Sequence, residues 1–228
     1  MAVHGLRLTL PEKLFLKDPQ DSSYGKRLLE HTVILMERIG FESFTFKKLA
    51  KEMDSAETSI YRYFENKHFV LLYLNCWYWE WVHYLIDINT RNILDPVRKL
   101  EILIHNLIFA SEESTLTNYI NESLLHKIIV LEGTKSYHIH NVDQENEVGL
   151  FMSYKNLTKK MASIVEEAHP GYPYPRSLCS TLFEMVNSQI YYAEHLPRLT
   201  DIKDTSSKSA QIESMAIHMV KSMLHLPV

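Results

Sequence analysis

The sequence is poor in cysteine. Its 228 residues include only two cysteines, Cys76 and Cys179, and each lies in an apolar stretch. Two distant thiols exclude the disulfide framework of a small secreted domain, and neither has the spacing of a metal or redox motif. We therefore expect two buried core thiols and a reducing, cytoplasmic environment.

An excess of charge of one sign is also missing. The chain has 24 Lys and Arg residues against 28 Asp and Glu residues, and its pI is about 6.3. This balance excludes a protein that binds polyanions over its whole surface. Any binding of nucleic acid must be confined to a local surface.

Long apolar runs and a signal peptide are absent from the sequence. Residues 70–86 are the most apolar window, but Asn75, Glu80 and His83 interrupt them. The window is too short and too polar for a membrane span, and the first 22 residues lack the basic and apolar regions of a signal peptide. We expect no membrane partner.

Alternating apolar and polar residues, which are typical of strands, are lacking over any useful length. The apolar positions instead recur every 3.6 residues, which predicts an all-α chain of eight or nine helices. Gly40 is predicted to end a first helix over residues 24–39, and Asp95 with Pro96 to start a helix that ends near residue 111. Further helices are expected over residues 116–131, from about 144 to 168, over 176–195 and over 207–226.

Two short helices joined by a turn are predicted between residues 45 and 64. Thr45 can cap the first of them, Asp54 and Ser55 form the turn, and the second ends near Phe64. This is the spacing of a helix-turn-helix. Apolar residues can pack the pair inward, which leaves a face of hydroxyls, aromatic rings and one guanidinium for a major groove.

Each residue of that face has a chemical reason to contact DNA. Arg62 can donate two hydrogen bonds to guanine, and Thr58 and Ser59 are short enough to let the backbone approach base edges. Tyrosine hydroxyls at positions 61 and 63 can reach phosphate oxygens. Two lysines, Lys47 and Lys67, add cations beside free helix amides that attract phosphate.

The stretch "GFESFTFKKLAKEMDSAETSIYRYFENKHFVLLYL", residues 40–74, resembles the TetR family of bacterial transcriptional regulators. The resemblance covers about the first third of the chain. Glu57 departs from the family pattern, because the family commonly has a small or basic residue there; it would weaken phosphate attraction or accept from a cytosine amino group. The resemblance, together with this reading of Glu57, implies DNA contacts by Thr45, Lys47, Glu57, Thr58, Ser59, Tyr61, Arg62, Tyr63 and Lys67.

The resemblance also implies an N-terminal three-helix DNA-binding domain and a C-terminal helical domain that binds a ligand and dimerises. We expect a leader at residues 1–22, the helix-turn-helix domain at 23–69 and the effector and dimerisation domain at 70–228. The expected function is a ligand-responsive transcriptional regulator, and a repressor, that binds a palindromic operator as a homodimer. Its partners would be double-stranded DNA, a second copy and an unknown small molecule, with no cofactor and no enzymatic activity.

An effector pocket is predicted from aromatic and histidine side chains. Asn66 can cap a fourth helix, which follows the helix-turn-helix and has aromatic residues four, eight and eleven positions after Tyr73. Core packing is the alternative role of each of these rings. The predicted pocket consists of Trp77, Trp81, His83, Tyr84, His105, Phe109, Tyr119 and Phe151.

A dimer interface is predicted from the last two helices. The final helix has an apolar surface wide enough for two partners, and a second copy would be one of them. The alternative is a helix buried within one protomer. The predicted interface consists of Leu178, Leu182, Met185, Val186, Ile190, Ile212, Met215, Met219 and Met223.

Two other functions are open on the sequence alone. The same fold would serve as a helical dimer that binds a small molecule or a protein without specific DNA binding. Two Glu-x-x-His pairs, Glu80 with His83 and Glu166 with His169, have the spacing used in di-metal helix bundles, so a di-metal oxidase is a remote alternative. That site would need further carboxylates, for which Glu112, Glu113 and Glu122 are available.

Overall fold

A computed structural model describes residues 6–227, apart from the side chain of Thr205. Within this range the chain forms ten α-helices and no β-strand, which confirms the all-α prediction. Short 3-10 turns join several of them. The helices are α1 (Ser23–Ser43), α2 (Phe46–Glu52), α3 (Glu57–Ile60), α4 (Lys67–Thr90), α5 (Pro96–Phe109), α6 (Glu122–Glu132), α7 (Val142–Glu147), α8 (Met152–Ala168), α9 (Pro175–His195) and α10 (Lys208–Met223).

Side-chain caps fix several helix starts at the predicted places. The Thr45 hydroxyl accepts from the Lys48 amide at 3.2 Å at the start of α2. Asn66 accepts from the His68 amide at 2.9 Å before α4, and Asp95 accepts from the Val97 amide at 3.0 Å before α5. Each cap satisfies an amide that has no partner inside its helix.

Several predicted helix boundaries differ from the structure. Helix α1 continues past Gly40 to Ser43 with a kink at that glycine, and α3 ends at Ile60, before the predicted end near Phe64. The helix expected from residue 116 begins only at Glu122, because Asn121 caps it by accepting from the Leu124 amide at 2.9 Å. The long helix expected up to residue 168 is two helices, α7 and α8. Gly149, at φ 86°, lies in the break between them, where an ordinary helical residue would have negative φ.

The chain divides into two compact units that do not follow chain order. The first contains Met1–Trp81 and Ser111–Tyr154, and the second contains Val82–Ala110 and Lys155–Val228. Helix α4 is continuous from Lys67 to Thr90, so it contributes residues to both units.

The core of the first unit is rich in aromatic rings from α4. Trp77 and Trp79 are each no more than 1% exposed. Trp79 stacks on Tyr154 with ring centroids 4.6 Å apart, and Trp77 stacks on Trp81 at 6.0 Å. Large rings packed this way supply much of the unit's buried apolar area.

The leader segment, defined here as residues 6–22, is packed against the first unit. Its Leu8, Leu10 and Leu14 side chains are buried, and the Leu6 amide donates to the Leu116 carbonyl at 2.7 Å. Residues 1–5 of the predicted leader lie outside the described residues. The described part belongs to the folded unit and does not project from it.

The second unit is a helical core built mainly from α5, α9 and α10. Apolar residues of all three helices are buried, including Leu103, Val186 and Ile212. At its surface the Lys160 ammonium lies 2.8 Å from Asp87 and holds the pKa of that carboxyl down at about 2, with Arg91 adding to the effect. In the part of the chain that the structure describes, no helix is both long and apolar enough to cross a membrane.

Both cysteines are buried thiols, as predicted. The Cys76 thiol donates to the Leu150 carbonyl at 3.3 Å. Burial raises the pKa of Cys76, and it raises the pKa of Cys179 to about 12 with a smaller contribution from Glu166. Both groups therefore stay protonated near neutral pH, and the protonated thiol is a poor nucleophile.

We expect iodoacetamide at pH 8 to alkylate the native protein much more slowly than the urea-unfolded protein. Mass spectrometry should count two modified cysteines after unfolding and close to none before it. Rapid modification of one thiol in the native protein would contradict the burial of that side chain.

Candidate nucleic-acid interface

The turn between α2 and α3 is formed by Asp54 and Ser55. Asp54 has φ 49°, in the left-handed region that aspartate tolerates better than most residues, so it occupies a position that also suits glycine. The Ser55 amide donates to the Ala50 carbonyl at 2.9 Å, and the Ser55 hydroxyl lies 3.1 Å from that of Tyr24. These contacts set where α3 begins.

Helix α3 is a single turn that presents polar side chains. Ile60 is fully buried and anchors it, whereas Ala56 at the N-cap is exposed. Thr58, Tyr61 and Arg62 are exposed, and Ser59 is half-buried. The Tyr61 ring packs edge-on against Phe46 of α2, which holds its direction.

Tyr63 does not share this outward face. Its side chain is 4% exposed, its ring stacks on Tyr24 at 5.7 Å, and its hydroxyl lies 2.9 Å from that of Ser22. The predicted phosphate contact by Tyr63 does not fit this inward placement. The regular helix ends at Ile60, so helical spacing does not apply to the residues after it.

Lys67 is near the surface predicted to contact DNA, but its ammonium has partners within the protein. It donates to the Phe41 and Glu42 carbonyls, both at 3.1 Å, and lies 4.6 Å from the centroid of the Phe41 ring. It thereby satisfies carbonyls at the end of α1, where a cation is favoured. A phosphate would have to share this group with those carbonyls.

The remaining predicted DNA contacts lie at or near the surface. Thr45 and Lys47 are exposed, and Glu57 is half-buried in the first turn of α3. As the cap of α2, the Thr45 oxygen accepts from the Lys48 amide, which leaves its hydroxyl proton available to donate to a phosphate.

A basic groove beside these residues was not predicted from the sequence. It has a volume of about 530 Å³ and lies between α1 and α2, with Leu35 and Ile39 at its apolar side. Arg38 in the groove pairs with Glu52 at 2.7 Å. Arg38 lies in α1, whereas Lys48 and Lys51 lie in α2. No local pattern in the sequence therefore indicates that these three cations line one groove.

The predicted effector residues are divided between the two units. In the first unit Trp77, Trp81 and Tyr119 are buried, and the Trp77 indole donates to the Tyr119 hydroxyl at 3.3 Å. Phe151 is also buried there. In the second unit His105 stacks on Phe109 at 4.3 Å and lies 3.1 Å from Glu213. His83 and Tyr84 are half-buried residues of α4.

A cavity of about 320 Å³ lies in the first unit beside α1. Of the predicted effector residues it includes Tyr119; Glu30, Val33, Thr117 and Glu122 also line it. Burial raises the pKa of Tyr119 to about 12, so its hydroxyl is a neutral donor at physiological pH.

The predicted dimer residues fall into two groups. Their buried members pack inside this protomer, so the prediction that the whole set faces a partner is too broad. The second group is accessible: Met223 is 49% exposed, and the remaining residues of this group are half-buried. The buried group is Leu178, Leu182, Val186 and Ile212, and the half-buried group is Met185, Ile190, Met215 and Met219.

The di-metal alternative finds no support in the described residues. Among residues 6–227, no three His, Cys, Asp or Glu side chains are grouped so that they could hold a metal ion. Glu122, one of the carboxylates considered for that site, accepts instead from the Ser114 amide at 3.2 Å and from the Thr117 hydroxyl.

Residues 28–74 match the model of the family described as bacterial regulatory proteins, tetR family. The matched range begins within α1 and includes α2, α3 and the start of α4. A search of curated proteins finds no match.

Several solved structures share the fold at low sequence identity. AibR, in complex with isovaleryl coenzyme A and operator DNA, is 16% identical with a TM-score of 0.57, covering 86% of this chain and 96% of its own. The TetR family transcriptional regulator PfmR from Thermus thermophilus is 15% identical (TM-score 0.58; 89% and 99% covered). The superantigen PfiT is 15% identical (TM-score 0.60; 90% and 97% covered).

Proposed function

We propose that this chain, which carries the N-terminal domain of the TetR family at residues 28–74, is a ligand-responsive transcriptional repressor that binds a palindromic operator as a homodimer. In this proposal residues 23–69 bind DNA, and residues 70–228 bind the effector and dimerise. One observation carries it: Thr58 of α3 and the two residues that directly follow the helix, Tyr61 and Arg62, are all exposed, while Ile60 between them is buried and anchors the helix.

The chemistry of that surface suits a major groove. A hydroxyl, a phenol and a guanidinium supply hydrogen-bond donors of different lengths, and an arginine donating to guanine is the commonest specific contact to a base. Thr45 and Lys47, exposed at the start of α2, are placed to bind phosphates.

Two copies would address two half-sites about one helical turn of DNA apart, or a multiple of it. The proposed dimer interface is built from the accessible members of the predicted set, which are Met185, Ile190, Met215, Met219 and Met223. A flexible, polarisable side chain such as methionine packs well against an apolar partner surface.

Regulation in this proposal acts through α4. The helix starts at Lys67, next to the DNA-reading residues, and continues to Thr90. An effector that favours one tilt of α4 would change the separation of the two recognition helices in the dimer. An effector that binds and leaves operator affinity unchanged would disprove this coupling.

The first experiment is selection of DNA from a random duplex pool by the purified protein at near-physiological salt. We expect enrichment of a palindrome, because two symmetric recognition helices read the same half-site twice. A folded dimer that enriches no sequence would disprove specific DNA binding.

Arg62→Ala should relax the sequence preference at one base position in each half-site. The lost contact corresponds to about 1–3 kcal/mol of discrimination, with little change in affinity for random DNA. Binding to single-base variants of the selected duplex measures this. Arg176→Ala is the matched control, since it removes the same charge from an exposed position on α9. If Arg62→Ala and Arg176→Ala show the same preference among the single-base variants, a residue other than Arg62 recognises that base.

A helical dimer without specific DNA binding is the second candidate. Glu57 in the first turn of α3 and the balanced charge of the chain favour it, because both weaken the attraction of phosphate. The similarity to PfiT places this fold in a protein described as a superantigen, so the fold alone does not imply DNA binding.

A further inference from the structure

Three contacts join the leader segment to Tyr63, which lies three residues after the end of α3. The Leu16 amide donates to the Tyr63 carbonyl at 2.8 Å. The Ser22 hydroxyl lies 2.9 Å from the Tyr63 hydroxyl, and the Lys17 ammonium lies 5.5 Å from the centroid of the Tyr63 ring. The leader therefore holds Tyr63 at its backbone, its ring and its hydroxyl.

The position of Tyr63 controls the end of α3. A helix of four residues is too short to be stable by itself, so its geometry depends on its neighbours. The Tyr63 amide donates to the Ile60 carbonyl at 2.9 Å, and Tyr63 follows Arg62 directly in the chain. Whatever fixes Tyr63 consequently fixes the backbone from which Arg62 projects.

The leader has its own anchor in the core of the first unit. The Gln20 side chain is buried and makes hydrogen bonds to both backbone groups of Leu8, at 3.0 and 2.9 Å. Its carbonyl oxygen also accepts from the Tyr119 hydroxyl at 2.8 Å, and Tyr119 accepts from the Trp77 indole. Both polar groups of the Gln20 side chain are thus bonded, which gives the leader one defined conformation.

We propose that the leader segment is a positioning element of the DNA reader, which fixes the end of α3 through Tyr63 and so orients Arg62 for base recognition. The proposal rests on the DNA binding proposed above. Leu16 and Ser22 are positioning residues, because they act through Tyr63 and need not touch DNA. Base contacts depend on accurate geometry, whereas phosphate contacts carry no sequence information. A loosened leader should therefore reduce specific affinity more than nonspecific affinity.

The test compares Leu16→Pro with Leu16→Ala. Proline removes the amide that donates to Tyr63, and Phe15 already has the extended backbone, φ −147° and ψ 154°, that a residue before proline adopts. The Leu16 side chain is 60% exposed, so the alanine control removes that side chain and keeps the amide. Both variants are made in the full chain.

The first readout is the ratio of affinities for the selected duplex and for a random duplex. We expect Leu16→Pro to lower this ratio about fivefold, the effect of one lost hydrogen bond, and Leu16→Ala to change it less than about twofold. Partial unfolding would lower both affinities by the same factor and leave the ratio unchanged. An unchanged ratio in Leu16→Pro would overturn the proposal, while selective binding by the unmodified chain would still support the DNA-binding function.

The second readout does not require DNA. Hydrogen exchange of the amides at residues 60–64 should accelerate about fivefold in Leu16→Pro, with unchanged exchange in α4. A second variant, Tyr63→Phe, keeps the ring and the carbonyl but loses the hydroxyl contact with Ser22, so a smaller acceleration of about two- to threefold is expected. If the unmodified chain selects no duplex, the proposed DNA-binding function is disproved. Unchanged exchange at residues 60–64 in both variants would separately disprove that the leader holds the end of α3.

Discussion

Replacing Gly25 by alanine should destabilise the protein by about 2–3 kcal/mol, although the same change inside a helix ordinarily stabilises it by about 1 kcal/mol. A Cβ at Gly25 would lie 2.2 Å from the Pro19 carbonyl oxygen and 2.6 Å from the Pro19 Cα. Both atoms are backbone, so no side-chain rotation relieves the overlap. Either α1 or the leader segment must move, which disrupts packing in the first unit.

Thermal and urea unfolding of Gly25→Ala, followed by circular dichroism, will measure this loss. We expect the Tm to fall by about 4–10 °C. Arg27→Ala is the control, since residue 27 is exposed in the same turn of α1 and alanine suits a helix there. A Tm for Gly25→Ala equal to or above that of the unmodified protein would mean that the leader can shift at little cost.

Replacing Gly40 by alanine should cost about 1–3 kcal/mol because of backbone strain. Gly40 has φ 73° and ψ 161°, a region that is essentially restricted to glycine. A Cβ at Gly40 would lie 3.4 Å from the Glu132 carboxylate, which is an ordinary van der Waals distance. The strain therefore comes from the backbone dihedral angles and not from a steric clash. The Phe41 amide beside it donates to that carboxylate at 3.0 Å, which fixes the chain on its way to α2.

Gly171→Ala is the matched control for Gly40→Ala. Gly171 also has positive φ, 87°, but a Cβ there would meet no atom within 4 Å. We expect a smaller loss of about 1 kcal/mol at this position, the lower end of the cost of a left-handed residue, measured by the same unfolding experiments. Equal losses in the two variants would show that the conformation of Gly40 is no more restrictive than an ordinary left-handed turn.

The helix boundaries that the sequence predicted correctly depend on partners close in the chain. Thr45, Asn66 and Asp95 cap helices through amides two or three residues away, so their roles are visible in a short stretch of sequence. The break at Gly40 is also a local backbone property, although it kinks α1 at that residue and the helix ends only at Ser43. The family resemblance likewise rests on one contiguous stretch, residues 40–74.

The features that the sequence did not predict depend on distant partners. Gln20 bonds to residues 12 and 99 positions away, and nothing near it in the chain marks it as buried. Tyr63 turns inward because its partners Ser22 and Tyr24 lie in earlier segments. On α4 the adjacent rings of Trp77, Tyr78 and Trp79 are all buried, so the helix has no single aromatic face from which a pocket could be inferred.

The packed leader segment has a practical consequence for handling the protein. Leu6 is already hydrogen-bonded to Leu116, so an affinity tag placed immediately before residue 6 would be attached to ordered backbone. At the other end of the described range His225 and Pro227 are exposed, but the Leu226 amide still donates to the Lys221 carbonyl at 2.9 Å. A long cleavable linker between the tag and the packed chain is therefore the better choice for purification.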